Sequence, residues 1–183
     1  MTYTVACLVG SASQDSLNRR LGRALQLAAP DSLRFVETEI VDLPFYRPEF
    51  DADFPEVGTR LKEAVSQADG VLMVTPEYNR AIPAVLANAL DWISRPYGAN
   101  SLAGKPVMLA GATPGTIGTA VAQAELRSVL GYLNAHLMGQ PELYIRITKQ
   151  QFDQEGRATT PGTQELLGTA MRAFEKHITL LRP

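Results

Sequence analysis

The feature that most constrains this chain is an alternation that runs from one end to the other. Short apolar runs bounded by turn residues take turns with segments whose apolar residues recur at helical spacing. That is the pattern of repeated βαβ units wound around a parallel sheet, and it predicts an α/β fold. Tyr3 to Val9 reads as the first strand, and Leu17, Leu21, Ala24, Leu25 and Ala28 then share one helical face before Pro30 ends the helix. Leu33 to Val41 reads as a second strand, and the proline- and aromatic-rich stretch Pro44 to Asp53 as a long loop. Pro55 opens a helix carrying Val57, Leu61, Ala64, Val65 and Ala68, and the Asp69-Gly70 turn leads into a buried strand, Val71 to Thr75. A third helix begins at Pro83 with the apolar stripe Val85, Leu86, Ala89, Leu90 and Ile93, and stops at Pro96. Pro106 to Ala110 is the expected fourth strand, Gly118 to Leu137 largely helix, and Leu143 to Ile147 the fifth strand. Lys149 to Gly162 is polar and irregular, and a closing helix uses Leu166, Leu167, Ala170, Met171, Phe174 and Ile178.

With 183 residues, 45% of them hydrophobic, the chain has the size of one globular domain spanning 1–183, and no repeat or linker divides it. Seventeen basic against nineteen acidic residues give a formal net charge of -2, which leaves no broad cationic surface for nucleic acid or an anionic membrane. Apolar runs such as Val71 to Val74 are far shorter than the roughly 20 residues needed to cross a bilayer. The N-terminus lacks a basic stretch followed by an apolar one, so no export signal is expected. The single cysteine, Cys7, allows no intrachain disulfide and no cysteine-built metal site, which fits a reducing cytoplasm; its apolar neighbours favour a buried, inert thiol.

In an open sheet of this kind, ligands bind beyond the carboxyl ends of the strands, where the strand order reverses. The loop after the first strand, Gly10 to Arg19, brings Ser11, Ser13, Gln14 and Ser16 to the start of a helix. Free N–H groups there, with hydroxyls beside them, suit a phosphate. The three spaced glycines of a dinucleotide site are absent, so a mononucleotide such as FMN fits better. A plain alternative is that Ser16 or Asp15 caps the helix and the other serines fill the loop. Thr75 to Pro83 holds an aromatic and an amide between stiffening prolines and could support a planar ring; it also reads as an ordinary turn. Gly111 to Gly118 has three glycines in eight residues, consistent with close backbone approach to a ligand or with a simple strand-to-helix turn.

Together these segments resemble the NAD(P)H-dependent FMN reductase family, the flavodoxin-like group that includes chromate, quinone and azo-dye reductases. The resemblance is carried by Gly10-Ser11 with Ser16 and Asn18-Arg19, by Thr75-Pro76-Glu77-Tyr78-Asn79 running through Ile82-Pro83 to Asn88-Ala89-Leu90-Asp91-Trp92, and by Pro114-Gly115 with Gly118 and Leu126-Arg127. It implies a flavodoxin-like three-layer sandwich with a five-stranded parallel sheet of order 2-1-3-4-5. It also implies noncovalent FMN, with NADPH or NADH as co-substrate. By that resemblance Ser11, Ser13, Ser16, Asn18 and Arg19 surround the phosphate, Pro76, Glu77, Tyr78 and Asn79 hold the isoalloxazine, and Thr113, Pro114 and Gly115 its far edge. Many members place an arginine where this chain has Ser13, so a charge-assisted contact is either missing or supplied by Arg19. Where some relatives have another basic residue, this chain has Thr116, which leaves the nicotinamide preference open.

In such an enzyme the cofactor carries the chemistry, and no catalytic protein acid, base or nucleophile is required. The two histidines, His136 and His177, are expected on helices away from the three loops. The acceptor would be a small molecule: a quinone, free flavin, azo compound or chromate. The rival reading is a flavodoxin-type FMN electron carrier without a nicotinamide site, which the near-neutral charge disfavours. A receiver domain would need acidic residues where Gly10 and Thr75 stand, and a hydrolase a nucleophile elbow that is absent. The family's dimers and tetramers imply a homodimer or homotetramer here. The apolar third helix, with Trp92 after its stripe, is the expected interface, unless Trp92 packs within its own subunit.

Overall fold

The computed structural model describes residues 1–181. Its sheet consists of β1 (Tyr3–Val9), β2 (Leu33–Glu37), β3 (Gly70–Val74), β4 (Pro106–Thr113), β5 (His136–Leu137) and β6 (Leu143–Arg146). The order is β2-β1-β3-β4-β5 and all pairings are parallel, with β6 also paired to β4. β5 meets β4 at Pro106 and Val107, β6 meets it from Ala110 to Thr113, and so the two follow one another in the fifth position. The expected order of the flavodoxin-like sandwich is present, with its fifth strand broken in two.

Alternation along each strand divides the core into two layers. Val5, Cys7, Leu72, Val74, Met108 and Ala110 face α1 (Leu17–Leu27) and α5 (Pro161–Leu181). Ala6, Leu8, Val71, Met73, Val107 and Leu109 face α2 (Glu56–Gln67), α3 (Ala84–Ser94) and α4 (Ala120–Tyr132). All five residues of β3 are buried, as a central strand covered on both faces requires. Two lysines close helix ends on the second layer. Lys105 Nζ donates to the carbonyls of Ser66 and Ala68 at the end of α2, and Lys62 Nζ to that of Ile93 in the last turn of α3 and to that of Ala99 beyond it.

Several boundaries differ from the sequence reading. β2 stops at Glu37 rather than Val41: its ladder with β1 ends at the pair Cys7 and Glu37, while β1 runs on to Val9 beside β3 alone. β4 continues to Thr113, since β6 extends the ladder beyond Ala110. The helix expected to reach Leu137 ends at Tyr132. Asn134 adopts φ 55, and His136 N–H then donates to Lys105 carbonyl, so His136 lies on a strand and not on a helix. His177, on α5, hydrogen-bonds the His136 carbonyl at 2.7 Å. Leu166 of the closing helix is 38% exposed, whereas Leu167, Ala170, Met171, Phe174 and Ile178 are buried.

Trp92 is fully buried within its own chain. Phe50 stacks on it at 5.2 Å, Tyr46 and Phe54 meet it edge-on, and its Nε1–H donates to Pro44 carbonyl at 2.8 Å. The aromatic loop is thus folded onto α3, and Trp92 offers no surface to a partner. Among the described residues no helix is long and apolar enough to cross a membrane, and no group of three His, Cys, Asp or Glu could hold a metal ion.

Candidate functional site

The loops after β1, β3 and β4 meet at the carboxyl edge of the sheet, and neighbouring strands hold them there. Gly10 N–H donates to Val74 carbonyl, and Thr75 N–H to Ala110 carbonyl. Ser16 has extended backbone (φ -80, ψ 125), and its side chain accepts from Arg19 N–H at 3.3 Å, making it the N-cap of α1. The first-turn N–H groups of Leu17 and Asn18 have no intrahelical acceptor and are directed beyond the helix end. Ser11 is buried, with its Oγ accepting from Ser13 N–H at 3.4 Å. A cradle of small hydroxyl side chains at a positive helix end has the chemistry of a phosphate site.

Asn18 and Arg19 have other partners. The Asn18 side chain donates to Ala112 carbonyl at 3.0 Å and accepts from Ala112 N–H at 2.9 Å, tying the start of α1 to β4. Arg19 pairs with Glu39 at 3.2 Å and donates to Ser11 carbonyl at 3.4 Å. Asp15 accepts from Lys149 at 2.6 Å and from Arg20 at 3.0 Å. The hydrogen bond from Lys149, then that from Arg20, hold its carboxyl below the usual aspartate range. No sequence pattern marks Lys149, which lies in the polar stretch after β6 and reaches the loop only through the fold.

The β3 loop is built on a tight reversal. Tyr78 and Ala81 exchange backbone hydrogen bonds across Asn79 (φ 52) and Arg80 (φ 64). Two successive non-glycine residues in the left-handed region each cost on the order of 1 kcal/mol, strain of the kind that concentrates at ligand sites. Pro76 is buried and Tyr78 is 51% exposed. The Glu77 side chain turns inward, its Oε2 accepting from the N–H groups of Val121 and Ala122 and its Oε1 from Arg80. Burial opposes its ionisation, yet the bonds from Ala122, Arg80 and Val121 together lower its pKa. From the other side, Glu125 of α4 accepts from Ile82 N–H at 2.8 Å.

Of the three glycines from the end of β4 to the start of α4, Gly111 within the strand and Gly115 and Gly118 after it, only one has open surroundings. A Cβ on Gly111 would lie 1.9 Å from Thr119 Oγ1 and 2.5 Å from Thr75 carbonyl oxygen, and one on Gly118 (φ 67) 2.9 Å from the Tyr144 backbone. Those two serve packing rather than approach of a ligand. Gly115 has only Thr113 Oγ1 nearby, at 3.6 Å, and its N–H donates to that oxygen. Between this loop and the β3 loop lies a cleft of about 360 Å³, lined by Glu77, Asn79, Arg80, Thr113, Gly115 and Thr116 among others. Its polar walls and exposed backbone suit the edge of a heteroaromatic ring, and the phosphate-type cradle belongs to the same edge of the sheet. The residues present fit a flavin mononucleotide in their donor set.

Comparison with known proteins agrees. A sequence model described as NADPH-dependent FMN reductase matches residues 3–150. A 2-hydroxy-1,4-benzoquinone reductase from Burkholderia sp is 45% identical over 174 residues, 95% of each chain. A quinone reductase from Escherichia coli K12 is 37% identical over 178 residues, 95% of this chain and 94% of the relative. Among solved structures, FerB, a flavoenzyme NAD(P)H:(acceptor) oxidoreductase from Paracoccus denitrificans, superposes with a TM-score of 0.94 at 41% identity and 98% coverage of both chains.

Proposed function

The chain belongs to the NADPH-dependent FMN reductase family and is an NAD(P)H-dependent FMN oxidoreductase, and on that premise we propose that its electron acceptor is a quinone. The observation that carries this reading is the open cleft between the β3 and β4 loops, in a chain whose relatives at 45% and 37% identity are named as quinone reductases. When bound, FMN supplies hydride acceptance from the reduced nicotinamide and electron delivery to the acceptor.

The residues of this chain bind and orient. Ser11, Ser13, Ser16 and the first turn of α1 hold the phosphate, with Arg19 beside them. Asn18 acts through Ala112, fixing the phosphate loop to β4. Pro76, Glu77, Tyr78 and Asn79 form one wall of the ring site, Glu77 by anchoring it to α4, and Thr113, Pro114 and Gly115 form the other. Neither histidine lines the cleft. Donor and acceptor use one open face in turn, which gives ping-pong kinetics. Tyr78, Ile117 and Val121 leave apolar surface exposed, and a homodimer or homotetramer covers it. The protein works in the cytoplasm as a single unit over 1–183.

Anaerobic mixing tests the acceptor. NADH or NADPH should bleach the bound flavin, and 1,4-benzoquinone should restore its absorbance within the turnover time. Failure of the quinone to reoxidise the flavin overturns the acceptor. Initial-rate plots that intersect rather than run parallel overturn the ping-pong order.

A further inference from the structure

Residues 10–16, the loop assigned to the phosphate, contain no cation. The nearest arginine in sequence, Arg19, is held by Glu39 and the Ser11 carbonyl. A phosphate dianion would therefore meet hydroxyls and backbone N–H groups, with no free charge from the loop itself. The fold brings in charge from elsewhere. Lys149 Nζ, 134 residues away from Asp15 in sequence, sits 2.6 Å from Asp15 Oδ2, and Arg20 lies 3.0 Å from the other carboxylate oxygen.

We propose that Lys149, with Arg20, supplies the positive charge for the cofactor phosphate, and that Asp15 is the bracket that holds both cations at the loop. The inference rests on the FMN reading above. Two cations against one carboxylate leave the cluster with a net positive charge, placed one residue from the N-cap Ser16. Lys149 has a fixed origin, because it opens a short 3-10 turn, Lys149–Gln151. The Thr148 side chain accepts from Gln151 N–H and the Gln151 side chain from Thr148 N–H. Both partners of the Lys149 pair are substantially exposed, 43% and 62%, so the pair itself adds little to stability. A long-range contact with so little structural value is accounted for by a ligand that needs the charge.

The test compares two ligands that differ only in the phosphate. Apoprotein is titrated with FMN and with riboflavin by quenching of flavin fluorescence, for the wild type, Lys149→Gln and Lys149→Arg. The expected result is an FMN affinity weakened roughly tenfold in Lys149→Gln, the size of one charge-assisted hydrogen bond, with riboflavin affinity unchanged and FMN affinity largely kept in Lys149→Arg. The salt dependence of FMN binding should also flatten in Lys149→Gln. If that variant keeps wild-type FMN affinity, or loses FMN and riboflavin alike, Lys149 has no phosphate role and the proposal is overturned. A wild type that binds both flavins equally, or neither, refutes the phosphate loop itself, and the proposal with it.

Discussion

The carboxylate of Glu77, on the β3 loop, accepts a hydrogen bond at 3.0 Å from the backbone N–H of Ala122, on the first turn of α4. A second bond from Val121 N–H makes this one carboxylate the cap of a helix 44 residues further along the chain. The cap takes N–H groups that would otherwise face outward at the end of α4, and in return α4 fixes one wall of the cleft.

Glu77→Gln should lower stability at pH 7 by about 1 kcal/mol, and Glu77→Ala by about 2 kcal/mol, through loss of a charged cap in a buried position. The pH dependence has a definite sign. The pKa of Glu77 is depressed in the folded state below its ordinary value of 4.5, so its contribution is complete above that value and is lost as pH falls through the folded-state value. Urea denaturation should show a gap between wild type and Glu77→Gln that narrows in acid. A gap independent of pH would mean that the charge of Glu77 is not what caps α4.

Gly111 and Gly115 are four residues apart and should respond in opposite ways. Alanine at 111 would drive a methyl group into Thr119 and the Thr75 backbone, at a cost of roughly 3 kcal/mol. Alanine at 115 meets nothing closer than 3.6 Å and should leave stability within about 0.5 kcal/mol of wild type. With the backbone of 113–115 against the flavin, Gly115→Ala should nevertheless weaken FMN binding. Thermal melts of the apoproteins and flavin titrations separate the two effects; equal destabilisation by both alanines would refute the assignment.

What could be read from sequence was whatever depends on local period. β1, the starts of α2 and α3 after Pro55 and Pro83, and the β3 core all follow from spacing and turn residues, and the three loops follow from the strands. Features that depend on distant partners were not legible. β5 is two residues long and exists because Pro106 and Val107 offer it an edge. Gly111 looks like any loop glycine until Thr119 and Thr75 close around it. Asn18 reads as a ligand residue, yet both ends of its amide group meet Ala112, 94 residues away. Composition can nominate a polar side chain for a site, but the partner that has already claimed it is found only in the fold.

Gly58 sits in the first turn of α2, where alanine would ordinarily favour the helix by up to about 1 kcal/mol. Here a Cβ would come within 2.4 Å of the Trp92 ring and 2.8 Å of Phe54. Overpacking outweighs propensity, and Gly58→Ala should destabilise by about 1–3 kcal/mol. Trp92→Phe removes the ring atoms in conflict, so the double variant should lose less than the sum of the singles. Strict additivity in the denaturation energies would show that the two positions do not compete for the same space.

Cys7 provides a test of where the redox chemistry resides. Burial pushes its thiol up to about 12, against the opposing effect of the Gln26 side-chain hydrogen bond, and the residue is 2% exposed between β2 and β3. At pH 8 on the order of one thiol in ten thousand is then ionised, and the thiolate is the species that reacts. A disulfide reagent should leave the folded protein unlabelled, label it stoichiometrically in denaturant, and react at intermediate urea only as fast as the chain opens. NAD(P)H oxidation should be untouched by the same reagent. Inhibition of the native enzyme at a rate faster than unfolding would make Cys7 accessible and part of the reaction, and the account of a chain that leaves its chemistry to a bound cofactor would fail at that residue.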